Sequence, residues 1–305
     1  MGRLTGAAQR DGVRGLTADE LRELALLYRQ VAGDLSALRQ DGGARTYEAQ
    51  LNMLLSRAHT FVYAGRSGGW RGVWLFLSRD YPRLFRRLLG YSLASLAVFL
   101  AGGLLGALLT QARPVFMEQL LGPQMVRTIQ HRQMWTESIT SMAPAASSGI
   151  MTNNLGVTFA TFALGITAGV GTLYMIGWNG VLIGVIGTAC AHAGMSIKLW
   201  SFVAPHGSLE LPSIILAGAA GFRLARGLVA PGFYSRRHAL ALAGAESVRL
   251  LAGTIPLLMI AGLLEGFFSP SASPVWMKFS LGAVLFALLI TWLTSAHEVT
   301  AAPFL

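Results

Sequence analysis

SITSMAPAASSGIMTNNLGVTFATFALGITAGVGTLYMIGWNGVLIGVIGTACAHAGMSI, residues 138–197, runs for 60 residues without an aspartate, glutamate, lysine or arginine. Soluble domains are about one-quarter charged, so a charge-free stretch of this length belongs in hydrocarbon. A helix needs about 20 apolar residues to cross a bilayer, and the stretch has room for two crossings, at 150–173 and 180–202, joined near Trp178, Asn179 and Gly180. Working outward, residues 90–110 form a first uncharged span, and 249–266 and 279–296 read as a fifth and sixth. The segment 210–228 is less apolar; it reads as a fourth span or as a partly re-entrant segment.

The whole composition agrees. Of the 305 residues, 53% are hydrophobic and 12% charged, with a mean hydropathy of +0.52. That excludes an ordinary soluble enzyme and a disordered chain. Residues 1–88 carry 14 of the 24 Lys and Arg and 8 of the 14 Asp and Glu. The chain therefore divides into a polar head, 1–69, an intermediate segment, 70–89, and a membrane body, 90–298. The net charge of +10 does not point to nucleic acid, because the basic residues cluster beside apolar runs, where they favour anionic headgroups. Cys190 is the single cysteine, which excludes an internal disulfide and a cysteine-based metal site. No apolar h-region occurs in the first 60 residues, so a cleaved secretory signal is not expected there.

The head begins with a helix start. Thr17 and Glu20 have capping-box spacing, and Leu21, Leu24, Tyr28, Val31, Leu35 and Leu38 recur at helical intervals. Asp41, Gly42 and Gly43 stop that helix. A second, 45–64, carries Tyr47, Leu51, Leu54, Leu55, Ala58 and Phe61 on one side. The pair makes an antiparallel hairpin that buries its own seam or docks a partner. In 70–88, Trp70, Trp74, Tyr81 and Phe85 alternate with Arg71, Arg79, Arg83, Arg86 and Arg87. Rings and guanidinium groups at helical spacing suit an elbow helix at the inner-leaflet headgroups, or a helix packed on the head. With six spans, these arginines and Arg223, Arg226, Arg236, Arg237 and Arg249 fall on one side. The positive-inside rule makes that side the cytoplasm and leaves both termini inside.

Gly102 and Gly106, Gly165 and Gly169, Gly180 and Gly184, and Ala217 and Gly221 sit four apart, a spacing for close helix packing within the chain or in a dimer. Candidate functional side chains are the polar ones at membrane depth: Asn153, Asn154, His206, Glu210 and Glu265. All five fall at the outer boundary of the six-span layout. His206 and Glu210, between the third and fourth spans, share a face if helical. Such groups are costly in a bilayer. They serve as helix cross-links, as a ligand or proton path or, least, in catalysis; Glu210 beside Pro212 also suits a first helical turn. The H-E-x-x-H motif is absent, His206 and Glu210 supply only two possible ligands, and no third is evident, so no metal and no cofactor is expected.

Five stretches add a family likeness. N-N-L-G-V (153–157), G-T-L-Y (171–174), W-N-G-V-L-I-G (178–184), A-P-H-G-S-L-E-L-P (204–212) and A-G-L-L-E-G-F-F-S-P-S (261–271) follow one another in an order that resembles the stage II sporulation protein M family of integral membrane proteins. The likeness extends over roughly residues 17–297. It implies a membrane scaffold that partners cell-envelope enzymes, with recurrent polar positions at Asn153, Asn154, Asn179, His206, Glu210 and Glu265 and no established catalytic residue. The long head matches stand-alone relatives better than the short sporulation form.

The expectation is therefore an all-α, polytopic membrane helix bundle of about six spans, with a cytoplasmic helical hairpin and an interfacial elbow helix, in the inner (cytoplasmic) membrane. Its function is expected to be a non-enzymatic scaffold, a homo-oligomer in contact with membrane lipids and other membrane or envelope proteins. The alternative is a transporter or channel for a small solute or proton that uses the outer Asn/His/Glu cluster. A weaker third is an intramembrane hydrolase on His206 and Glu210.

Overall fold

The structure is a computed structural model and describes residues 1–11, 15–40, 47, 50–56, 58, 69–134 and 143–295. Among these residues the regular structure is helical throughout, and the chain divides into two units, Met1–Phe76 and Leu77–Leu305.

In the first unit, α1 (Gly2–Asp11) precedes α2 (Ala18–Gln40). The capping box forms: the Thr17 backbone N–H donates to Glu20 Oε2 at 2.9 Å, and the Glu20 N–H donates to Thr17 Oγ1 at 3.3 Å. Leu4 and Ala8 of α1 pack with Leu16, Leu24 and Ala58. The sequence reading passed over α1 because its apolar face is this small. Leu35 is buried as expected, whereas Leu21 is exposed. Residues 50–56 are helical, and α3 spans Trp70–Leu75. The expected stop at Asp41, Gly42 and Gly43, the residue Phe61 and the C-terminal tail from 296 lie outside the described residues.

In the second unit, a π turn (Phe76–Asp80) leads to α4 (Tyr81–Arg87) and α5 (Leu89–Ala112). α6 (Pro114–Gln130) is two helices joined at Gly122, which has φ +78° ahead of Pro123. Then come α7 (Ala143–Ala163), α8 (Val170–His192), α9 (Ser196–Val229), α10 (Arg236–Ala252), α11 (Thr254–Leu263), a π turn (Leu264–Phe268) and α12 (Val275–Thr294). Among the described residues, five stretches are long and apolar enough to cross a bilayer: Leu89–Ala112, Val170–His192, Ser196–Val229, Arg236–Phe268 and Val275–Thr294. α7, with 21 residues, also has crossing length at 1.5 Å per residue, but Thr152, Asn153, Asn154, Thr158 and Thr161 lower its hydropathy. The chain is a polytopic helical membrane bundle.

Two boundaries differ from the sequence reading. Trp178, Asn179 and Gly180 are not a turn; they lie inside α8. The chain turns instead at residues 164–169, where Ala168 (φ +56°) and Gly169 (φ +87°) adopt left-handed backbone. Gly180 faces a neighbouring backbone, so its missing Cβ serves packing. Likewise, His206 and Glu210 do not lie between two spans. Both are within α9, which runs unbroken through Pro205 and Pro212. Membrane helices tolerate proline where neighbouring helices enclose the break, and Ser201, Phe202, Gly207, Leu209 and Ser213 around the two prolines are all buried.

α5 and α8 are parallel neighbours at backbone contact. A Cβ on Gly102 or Gly106 would strike the backbone of Gly177 or Val181, and one on Gly180 or Gly184 would strike Phe99 or Gly103. α9 runs antiparallel to them, with Gly218 against Ser95 and Ile176, and Gly221 against Thr161 and Thr172. Three of the four small-residue pairs are thus spent on packing inside the chain, as is Gly165 against Gly221. α6, unread in the sequence, closes one end of the bundle through Ile129 onto Ala189, Cys190, Met195 and Leu199.

The opposite end is rich in arginine. Glu246 is held by Arg87 and Arg223, each at 2.7 Å, and Asp80 by Arg249 at 3.3 Å. These pairs bring both expected arginine groups to one end of the bundle. Tyr81 and Leu84 of the expected elbow are turned into the bundle: Tyr81 stacks on Trp292 at 4.9 Å and donates to Leu250 O at 2.9 Å. They do not lie at a headgroup surface, because Gly253 leaves space that the Tyr81 ring fills.

Gly102→Ala should destabilise the purified protein by about 1–3 kcal/mol, because an added methyl there displaces backbone. Gly103→Ala, whose methyl would sit 3.6 Å from Gly180 O, should leave the Tm in detergent unchanged or raised. In the head, the Thr17 backbone N–H, then its hydroxyl, holds the Glu20 carboxyl below its ordinary 4.5. The cap is therefore at full strength above that value and is lost as pH falls through the lower, folded pKa. The Thr17 amide proton resonance should titrate with a midpoint below 4.5, and the titration should vanish in Glu20→Gln.

Candidate functional site

Three ionisable groups distant in sequence meet toward the bundle end opposite the arginines. His206 and Glu210 are one turn apart on α9, so helix geometry alone puts them on one face. Glu265 comes from the π turn that ends α11, and a ring nitrogen of His206 and one carboxylate oxygen from each glutamate all lie within 4.8 Å of one another. The wider turn matters. Ser269 N–H bonds Leu264 O, five residues back, at 2.7 Å, and π insertions of this kind often re-aim side chains at functional sites.

His206 is 5% exposed. Its ring stands edge-on to Phe202 at 5.2 Å, and Nδ1 lies 2.8 Å from Ser269 Oγ. That contact fixes the ring in the space between α9 and the turn after the π segment. Ser269 in turn is held through its carbonyl, which accepts from Lys278 Nζ at 2.7 Å; Ser271 O accepts from the same ammonium at 2.8 Å. Lys278 is buried, at the start of α12. Its charge is met by these carbonyls and, among the described residues, is not paired with Glu210 or Glu265. Neither glutamate has a Lys or Arg partner among the described residues, and Glu265 Oε2 is buried without a hydrogen-bond partner.

Close backbone packing encloses this corner. Gly262 meets Met151 of α7, and Gly282 of α12 meets the Ala204 carbonyl of α9. Two carboxylates this close in a low-dielectric surrounding repel one another strongly. The arrangement suits a bound positive charge, either a proton shared by the pair or a cation.

The other expected residues bond to partners outside the trio. Asn153 Nδ2 donates to Asn154 Oδ1 at 3.5 Å, and Asn179 Nδ2 donates to Met175 O of its own helix at 2.7 Å. The sequence reading found no third donor beside His206 and Glu210; Glu265 supplies it, from 55 positions further along the chain. Ser269 and Lys278 were not singled out. Ser269 lay in the quoted 261–271 stretch, but a serine before proline reads as a turn. Lys278 lies one residue before the expected 279–296 span, where span length alone gives it no role.

Two cavities lie elsewhere. One of about 430 Å3 is lined by Arg87, Tyr91, Arg223, Arg226, Tyr234 and Glu246. The other, of about 570 Å3, is apolar and opens between Phe99, Trp200, Val203, Leu211 and Phe286.

Comparison with known proteins places this corner in a wider group. Residues 3–64 match a domain of unknown function, DUF8413. A relative in Methanocaldococcus jannaschii, described as uncharacterized protein MJ0793, is 33% identical over 76 residues, which is 25% of this chain and 43% of that protein. The matched stretch thus spans less than half the length of that relative. No solved structure matches the chain. Residues 95–270, which include the span from α5 to the π turn carrying Glu265, match the family described as Stage II sporulation protein M, and the chain belongs to that family.

Proposed function

We propose that this protein is a non-enzymatic membrane scaffold that recruits other membrane or cell-envelope proteins, working as a homo-oligomer in the cytoplasmic membrane. The observation that carries the reading is the seam of Gly102, Gly106, Gly180 and Gly184, where α5 and α8 touch backbone to backbone. A seam of this kind favours a fixed platform over a body that rocks between two states, as transporters do. Membership of the stage II sporulation protein M family supports a role of this class. Both termini face the cytoplasm in this reading. The arginines gathered around Asp80 and Glu246 support that orientation by the positive-inside rule. Leu93, Leu100, Leu104 and Leu108 on α5 face outward and meet lipid or a second copy.

One observation favours a second reading, transport of a proton or cation: ionisable groups at membrane depth line such paths. Against it, Asn153 and Asn154 are bonded to each other, and the two cavities above are lined by other residues.

Purification of the intact protein in mild detergent, followed by identification of what accompanies it, tests the scaffold reading. A stoichiometric envelope protein is expected, together with proton and cation flux in reconstituted liposomes no greater than in empty ones. A homo-oligomer with no companion would overturn the scaffold reading, and flux lost in Glu210→Gln would favour the second.

A further inference from the structure

The trio at α9 and the π turn has the makings of a metal centre. It offers one imidazole nitrogen and two carboxylate oxygens from two helices, all within 4.8 Å of one another. A tetrahedral ion with bonds of 2.0–2.1 Å needs donors about 3.3 Å apart, a contraction that rotation of the two glutamate side chains supplies. The remaining features match what such an ion requires around it. His206 Nδ1 is engaged by Ser269 Oγ, the kind of outer contact that orients a ligating imidazole. Ser269 is itself anchored by Lys278. Glu265 Oε2 is a buried acceptor with no donor among the described residues. Two carboxylates without a Lys or Arg partner carry the charge that one divalent cation neutralises. A proton on one carboxylate would relieve the repulsion too, but it would leave the imidazole unused.

We infer that His206, Glu210 and Glu265 form a binding site for one divalent first-row transition ion of the zinc type, with Ser269 as the residue that positions His206. The donor chemistry sets the class. Imidazole with carboxylate suits zinc, manganese or iron over magnesium and calcium, which prefer all-oxygen shells. No thiolate takes part, since Cys190 is buried in the cluster at the α6 end of the bundle. The ion would clamp α9 to the end of α11, adding to the His206–Ser269 contact already made there. Three protein ligands leave a fourth position for water. This inference stands whether or not the scaffold reading does.

The test uses the full chain in lipid nanodiscs, stripped with chelator, equilibrated with zinc chloride and desalted before elemental analysis. About one zinc per chain is expected to remain, and zinc, not magnesium, is expected to raise the Tm. Glu265→Gln and Glu210→Gln should lose both the bound zinc and the thermal shift, whereas Glu246→Gln, at the arginine-rich end, should keep them. Ser269→Ala should weaken zinc binding by about 10–100-fold. Wild-type protein that retains no zinc and shows no zinc-dependent shift would overturn the inference, and the pair would then be bridged by a proton. Full retention in Glu265→Gln would overturn it equally. Should that variant fail to purify as a monodisperse species, the wild-type shift decides alone.

Discussion

Residues 217–221, Ala-Gly-Ala-Ala-Gly on α9, are all buried and meet four other helices. Gly218 lies against Ser95 of α5 and Ile176 of α8; Gly221 lies against Thr172 of α8 and Thr161 of α7. Ser247 of α10 donates to the Ala220 carbonyl at 2.8 Å. Lipid tails are as apolar as leucine, so the hydrophobic effect does little to draw helices together inside a bilayer. What remains is dispersion between closely fitting surfaces and hydrogen bonds across them. Small residues permit both, and the membrane body assembles around this stretch.

Once α9 is enclosed on most sides, costly groups become tolerable on it. Its two prolines sit within its enclosed length, and its histidine finds Ser269. Charge is sorted to the two ends: arginines and acids neutralise one another around Glu246 and Asp80, while His206, the two glutamates and Lys278 sit toward the other. Thr110, Thr161 and Ser213 return their hydroxyls to their own helices at 2.7–2.8 Å, which meets these three donors without water.

Much of this was legible in the sequence, and the reasons for the rest are specific. Charge-free length revealed the spans, because the bilayer imposes a fixed thickness. The Thr17 and Glu20 spacing revealed the cap, because capping is local. The breaks were misread where one residue type serves two ends. Gly180 looked like a turn and is a packing surface. Gly169 looked like a packing partner and is the left-handed residue of the turn. Pro212 looked like the first turn of a new helix, and α9 runs straight through it. His206 and Glu210 were visible as a pair because four residues make one turn. Glu265 could be placed at the same membrane level but not in contact with them, since that contact depends on how α11 docks on α9, which no local pattern encodes. Asn179 was grouped with them by the family resemblance, and its amide bonds the Met175 carbonyl of its own helix.

The π turn that carries Glu265 has a further implication. A π segment amounts to one extra residue threaded into a helix, and each residue of an ordinary helix turns the chain by about 100°. Removing a single position from Leu264–Phe268 would restore regular winding and swing everything beyond it by about that angle. Glu265 would face a different neighbour, Ser269 would leave the imidazole, and the path into α12 would have to be redrawn. This part of the chain should accordingly accept changes of side chain far more readily than changes of length.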